Sequence, residues 1–87
     1  LLFLLPAPAA AFYPNPMTSV SFLQPSVSEN TSGMQLRIFD ICGHLVLERT
    51  ACGPRIQLSK QETGPGFFIY EITYASGKVE TGRFVVE

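Results

Sequence analysis

The sequence predicts an all-β protein, an antiparallel β-sandwich of six to seven strands. Three observations predict it. Apolar residues recur with a period of two almost throughout, and no stretch of ten or more residues carries a helical apolar face. Clusters of Gly, Pro, Asn, Asp and Ser interrupt the chain at short intervals, the spacing of a sandwich and not of βαβ units. The chain has 87 residues, which allows one domain with one thin core and excludes a two-lobed enzyme with a cleft.

Composition narrows the function classes. Hydrophobic residues make up 46% and charged residues 15%, too apolar a balance for intrinsic disorder. The net charge is −1, so there is no basic surplus to displace counterions from a phosphate backbone, and no nucleic-acid partner is expected. His44 is the single histidine, and a tight zinc site wants about four ligands, so no metal is expected. No paired carboxylates and no nucleophile–base spacing occur, so neither an enzyme, a cofactor nor a small-molecule substrate is expected.

The chain begins at Leu1 rather than Met and is read as a processed product or a piece of something longer. Residues 1–11, LLFLLPAPAAA, are too short to cross a bilayer, which takes ~18–20 apolar residues. They fit either an apolar linker or the remnant of a secretory signal, an apolar core followed by small residues. The folded domain is therefore placed at residues 12–87.

Tyr13-Pro14-Asn15-Pro16 opens that domain, because the two prolines hold the chain extended and then turn it. Residues 18–24 form the first strand, with Val20 and Phe22 alternating against serines, and the polar stretch 25–33 is a loop. Residues 34–39 and 44–50 form a hairpin around Asp40-Ile41-Cys42-Gly43. Two registers compete. A two-residue loop sets Leu36 opposite Arg49; a three-residue loop with left-handed Gly43 and a bulge sets Ile38 opposite Val46. The second is preferred, because it gathers Leu36, Ile38 and Val46 on one face, and a single apolar face fixes register. Asp40 then accepts hydrogen bonds from backbone N–H groups of the turn.

Cys52-Gly53-Pro54 turns into a short strand, 55–58, with Ile56 and Leu58 alternating. Residues 59–66 form a polar loop closed by Gly64-Pro65-Gly66. Residues 67–74 form the longest strand, with Phe68, Tyr70, Ile72 and Tyr74 on one face. Ser76-Gly77 makes a tight turn into the last strand, 78–86, where Gly82 marks a bulge. Cys42 and Cys52 lie at opposite ends of a strand, ~26 Å apart at ~3.3 Å per residue. A disulfide requires Cα atoms within ~7 Å, so no internal bridge is expected.

Several of these residues, in this order, resemble the C-terminal sorting domain of the type IX secretion system of the Bacteroidetes. They are Tyr13-Pro14-Asn15-Pro16, Asp40-x-x-Gly43-His44-x-Val46, Leu58-Ser59, Gly66-x-Phe68 and Arg83-Phe84-Val85-Val86, and the likeness covers residues 12–87. The resemblance implies an immunoglobulin-like β-sandwich without enzymatic activity, carried behind a passenger protein. It also implies export through an outer-membrane translocon to the cell surface or medium. There a sortase-like protease commonly removes the domain and can attach the passenger to anionic lipopolysaccharide. Three departures stand out. Gly64 and Phe68 occupy the ends of what is usually Pro-x-Gly-x-Tyr, His44 stands where the family has Lys or Arg, and the chain ends in Glu87 instead of a basic residue.

The residues themselves favour structural roles for most of these positions. Gly43 and Gly66 are read as backbone requirements, since a left-handed conformation costs a residue with a Cβ ~1–2 kcal/mol. Tyr70 and Tyr74 are read as core and not as a sugar-binding strip. Arg37, Glu48, Glu71, Lys78, Glu80 and Arg83 are read as a solvated outer face with cross-strand pairs. The last strand is the sharpest functional feature. At a sheet edge it offers unpaired N–H and C=O groups for strand addition, so Lys78, Arg83, Phe84, Val85, Val86 and Glu87, with the adjacent turn, are the expected recognition surface. A generic immunoglobulin- or fibronectin-like interaction module, structural or carbohydrate-binding, is the alternative to a sorting signal, because fold alone does not separate them.

Overall fold

The computed structural model describes residues 10–13, 15–26 and 30–87. Residues 1–9 of the 1–11 stretch expected as linker or signal remnant, Pro14 and the centre of the 25–33 loop lie outside the described residues, whereas Ala10 and Ala11 of that stretch are described. Seven strands form two antiparallel sheets. One contains β1 (Ala11–Tyr13), β2 (Val20–Gln24) and β5 (Ile56–Ser59), in the order β1-β2-β5. The other contains β3 (Met34–Asp40), β4 (Leu45–Ala51), β6 (Gly66–Thr73) and β7 (Val79–Val86), in the order β4-β3-β6-β7. The chain crosses between sheets after β2, β4 and β5, which is an immunoglobulin-like arrangement in which β4 pairs on the second sheet instead of joining the first.

Alternation places the core. Leu23, Met34, Leu36, Ile38, Ile56, Leu58 and Ile72 are buried between the sheets. As the period of two predicts, Phe68, Tyr70, Ile72 and Tyr74 all point inward from β6 and its end. The hydroxyls of both tyrosines find partners, which removes them from any exposed sugar-binding strip. Tyr70 Oη donates to the carbonyl of Ala10 (3.0 Å), and Tyr74 Oη accepts from the N–H of Ser26 (2.9 Å). At one end of the core an aromatic cluster joins the sheets. Phe12 of β1 stacks on Phe84 of β7 with ring centroids 3.9 Å apart, and Phe68 and Tyr70 pack on the same ring.

Four expectations need correction. The first is the β3–β4 register. The three-residue loop and left-handed Gly43 (φ 88°) are present, but Ile38 pairs with Leu47 and Leu36 with Arg49. A register shift beside Phe39 absorbs Val46, so the inward residues of β4 are Leu47, Arg49 and Ala51, and Val46 is exposed. Arg49 is tolerated there because β4 is an edge strand. Its guanidinium reaches across to the carbonyl of Gln57 on β5 (3.1 Å) and to the carboxylate of Glu62, tying the two sheets together.

The second correction concerns residues 59–66. Lys60–Thr63 form one helical turn, α1. Its signal was present in the sequence as Ser59-x-x-Glu62. The Glu62 carboxylate accepts from the N–H of Ser59 (2.8 Å), and the turn closes with Gly64 N–H on the carbonyl of Lys60 (2.7 Å).

The third is Gly82, which is not a bulge. The β6–β7 ladder runs without interruption from Gly66↔Val86 to Thr73↔Val79, with Gly82 opposite Tyr70. A Cβ at Gly82 would meet the Tyr70 ring and hydroxyl directly. The glycine is there because the tyrosine ring lies over the backbone of β7.

The fourth is Glu80, expected on the solvated face. It stands opposite Ile72 on the inward side, with one carboxylate oxygen accepting from the N–H of Ala10 (3.1 Å) and the other buried without a partner among the described residues. Ala10 is thereby held at its N–H by Glu80 and at its C=O by Tyr70. Burial, and then the neighbouring charge of Glu80, raise the pKa of the Tyr70 hydroxyl.

Gly82→Ala is expected to destabilise the domain by ~1–3 kcal/mol, the cost of overpacking, in urea denaturation. Tyr70→Phe should cost less, because it removes one hydrogen bond and leaves the ring in place.

Candidate functional site

A strand with a straight ladder presents alternate residues to opposite faces, and β7 divides accordingly. Glu80, Gly82, Phe84 and Val86 face the core; Phe84 and Val86 are fully buried. Val79, Thr81, Arg83 and Val85 face outward. The expected recognition set therefore separates. Lys78 in the turn, Arg83, Val85 and Glu87 are accessible to a partner of the folded domain, whereas Phe84 and Val86 hold the sandwich together.

β7 is an edge strand, but half of its free edge is already occupied. The N–H of Val85 donates to Asn15 Oδ1 (2.9 Å), and Asn15 Nδ2 donates to the carbonyl of Arg83 (3.5 Å). The N–H of Met17 donates to the carbonyl of Val85 (2.7 Å), and the N–H of Glu87 donates to the carbonyl of Met17 (2.8 Å). Met17 and Val86 form a short parallel bridge, and the Met17 side chain is completely buried. The expectation of an open edge is thus corrected for its C-terminal half.

This assigns the Tyr-Pro-Asn-Pro segment a physical task. Asn15 carries a donor and an acceptor in one planar amide, so it can continue a ladder as a peptide group would. The Asn15–Pro16 bond is cis. Tyr13 ends β1, on the exposed side and near the ring of Phe22. The amide chemistry of Asn15 was visible in the sequence; its target at Val85, 70 residues later in the chain, was not, because only the sandwich brings residues 15–17 beside β7.

The other motif positions are structural. Oδ1 of Asp40 accepts from the N–H groups of Cys42 and His44, both at 2.9 Å, as expected. These bonds, the one from His44 foremost, hold the Asp40 carboxyl below its ordinary pKa. His44 is exposed, with Nδ1 3.3 Å from Asp40 Oδ2. Gly66 has φ 141° where β6 begins, and Phe68 is buried beside Phe84. Cys42 and Cys52 are exposed and free. Among the described residues no three His, Cys, Asp or Glu side chains group as metal ligands.

The outer face of the four-stranded sheet was missed as an organised surface. Its residues fall into rows set by the ladder. One row reads Glu48–Arg37–Glu71–Thr81, with Arg37 Nε 2.8 Å from Glu48 and Nη1 3.7 Å from Glu71. The next reads Leu45–Phe39–Ile69–Arg83, and beyond it Phe67 pairs with Val85. The charged row matches the expected solvated face; the apolar row next to it does not. Phe67 is 64% exposed, Ile41 in the adjoining turn 73%, and Leu45 51%.

Fold and surface together define a small immunoglobulin-like sandwich whose distinctive features lie along its last strand. The model of the secretion system C-terminal sorting domain matches residues 11–87, and the chain belongs to that family, the sorting tails of type IX secretion. Its membership makes it a C-terminal sorting signal for export through the outer membrane to the cell surface or extracellular space. No curated protein and no solved structure matches the chain.

Asn15→Ala should lower stability by ~0.5–1.5 kcal/mol in urea denaturation, the range for a lost hydrogen bond, and Asn15→Asp, which keeps the acceptor for Val85, should recover part of it. A carboxyl with a lowered folded-state pKa stabilises above its unfolded value and loses that contribution as pH falls through the folded value. The difference in Tm between the wild-type chain and Asp40→Ala is therefore expected to be largest above about pH 5 and to shrink as pH falls below about 4.

Proposed function

We propose that the outer-membrane translocon of the type IX system reads this domain at the outward positions of β7 and at the Ser76-Gly77 turn. A sortase-like protease then cuts the passenger free at the cell surface. The domain serves as a folded label without chemistry of its own. The observation that carries this reading is the division of β7: Arg83, Val85 and Glu87 stand outward while the alternate residues are committed to the core. Lys78 flanks the same edge from the turn. Because the bridge from residues 15–17 already pairs the backbone of β7 near its end, side chains rather than added backbone bonds carry recognition there. Strand addition remains open to the Val79–Thr81 end of the edge.

The double hold on Ala10 supports a boundary for processing. With its N–H on Glu80 and its C=O on Tyr70, Ala10 is the first residue fixed to the sandwich among those described. An endoprotease needs several residues in extended form, so cleavage is assigned to the N-terminal side of Ala10.

The test is a fluorescent reporter with a secretory signal, followed by this 87-residue chain. In a type IX-competent strain the reporter should reach the surface or medium, and in a strain lacking the translocon it should stay in the periplasm. Mass spectrometry of the delivered reporter should find its new C-terminus before Ala10. Delivery that is independent of the translocon would refute the reading.

A further inference from the structure

We propose that the groove on the outer face between β6, β7 and the Asp40–Gly43 turn is a docking site for an extended protein segment in which a carboxylate is flanked by aliphatic side chains. The groove has a volume of about 350 Å³ and is formed by Asn15, Ile41, Phe67, Ile69, Arg83 and Val85. Its apolar walls are in water: Phe67 and Ile41 expose most of their surface, and Ile69 more than a third. Exposed apolar residues that lie side by side on one sheet face, and not scattered singly, mark interaction surfaces.

Charge selects the occupant. The chain has four arginines, and three are engaged: Arg37 with Glu48 and Glu71, Arg49 with Glu62, and Arg55 over the ring of Phe22 at 4.7 Å. The guanidinium of Arg83 pairs with no described carboxylate, and it stands directly opposite Ile69 at the head of the apolar row. A planar guanidinium beside aliphatic and aromatic walls suits an Asp or Glu carried between apolar side chains, which it can bind in bidentate fashion. Glu71, on the neighbouring strand of this face, is taken by Arg37, so it does not compete for Arg83.

A second copy of the chain fits less well. A two-fold contact through this patch would set like surface on like and bring two Arg83 side chains together. A small molecule also fits less well, since the walls stand on one sheet face and one turn and leave the outer side open. Asn15 borders the groove while clamping Arg83 and Val85 from the edge, so the same segment that closes the strand also fixes the geometry of the site.

This proposal rests on the reading that the outward side of β7 faces the export machinery, and its test separates the two. The probe is an acetylated, amidated peptide of alternating Leu and Asp, with a Leu–Lys peptide as control, titrated into the isotope-labelled 87-residue chain. The Leu–Asp peptide should shift the amide resonances of Phe67, Ile69 and Arg83, and the Leu–Lys peptide should not. Arg83→Glu, at an exposed position outside the core, should weaken Leu–Asp binding at least tenfold and should reduce export of the reporter fusion at least tenfold. Four outcomes with the purified chain would overturn the proposal: no binding of the Leu–Asp peptide, equal binding of the two peptides, unchanged binding by Arg83→Glu, or a concentration-dependent dimer abolished by Phe67→Ser. If the wild-type fusion is exported and Arg83→Glu is exported equally, the groove is refuted and the sorting reading survives. If the wild-type fusion itself does not depend on the translocon, the sorting reading falls as well.

Discussion

Antiparallel pairing satisfies only every second N–H and C=O of an edge strand; the rest point away from the sheet and need partners or water. In β7 the groups that point away near the C-terminal end are met by Asn15 and Met17. Much else depends on this contact. It draws the segment before β2 across to the far sheet, buries Met17, and holds β1 where Phe12 can stack on Phe84. It also leaves β7 supported on both sides, so that its outward side chains stand at fixed positions. A signal read as a shape needs that kind of fixity, because each ordered side chain that a partner meets already in place costs less entropy on binding.

What could be read from the sequence was local and periodic. Phe68, Tyr70, Ile72 and Tyr74 announce a buried face by their spacing alone, and Asp40 before Cys42-Gly43 announces its own hydrogen bonds to the turn. The ordered set of motifs was enough to indicate the family. What stayed hidden depends on residues far apart in the chain. The hairpin allowed Leu36 opposite Arg49 as one of two registers, but the contacts Arg49 makes there, with Gln57 on β5 and Glu62 on α1, lie outside the hairpin, so the local pattern did not favour it. Gly82 fits equally well as a bulge or as a site of close approach, and only the Tyr70 ring above it decides. Glu80 carries a charge typical of a surface residue, yet the ladder sets it inward opposite Ile72, where it accepts from the N–H of Ala10.

The candidate site was legible in part for the same reason. That the last strand lies at an edge follows from its place in the chain and from strand count. Which of its residues face outward follows from the absence of a bulge, a property of the β6–β7 ladder and not of the strand's own sequence. The apolar row on the outer face was missed because Phe39, Leu45, Ile69 and Phe67 each resemble core residues in a local window. Their common outward placement arises where three strands, in this register, set them side by side. Charged and apolar residues thus divide one sheet face into two zones, the first with Arg37 shared between Glu48 and Glu71 and the second bordered by Arg83.

The central claim is that β7 is held from both sides along its C-terminal half and from one side only nearer its start. Native-state amide exchange, read residue by residue, tests it directly. The N–H groups of Val85 and Glu87, which point away from β6, should be protected like those of the sheet interior, and the N–H of Thr81, which points the same way with no described backbone partner, should exchange quickly. Fast exchange at Val85 and Glu87, matching Thr81, would contradict the account.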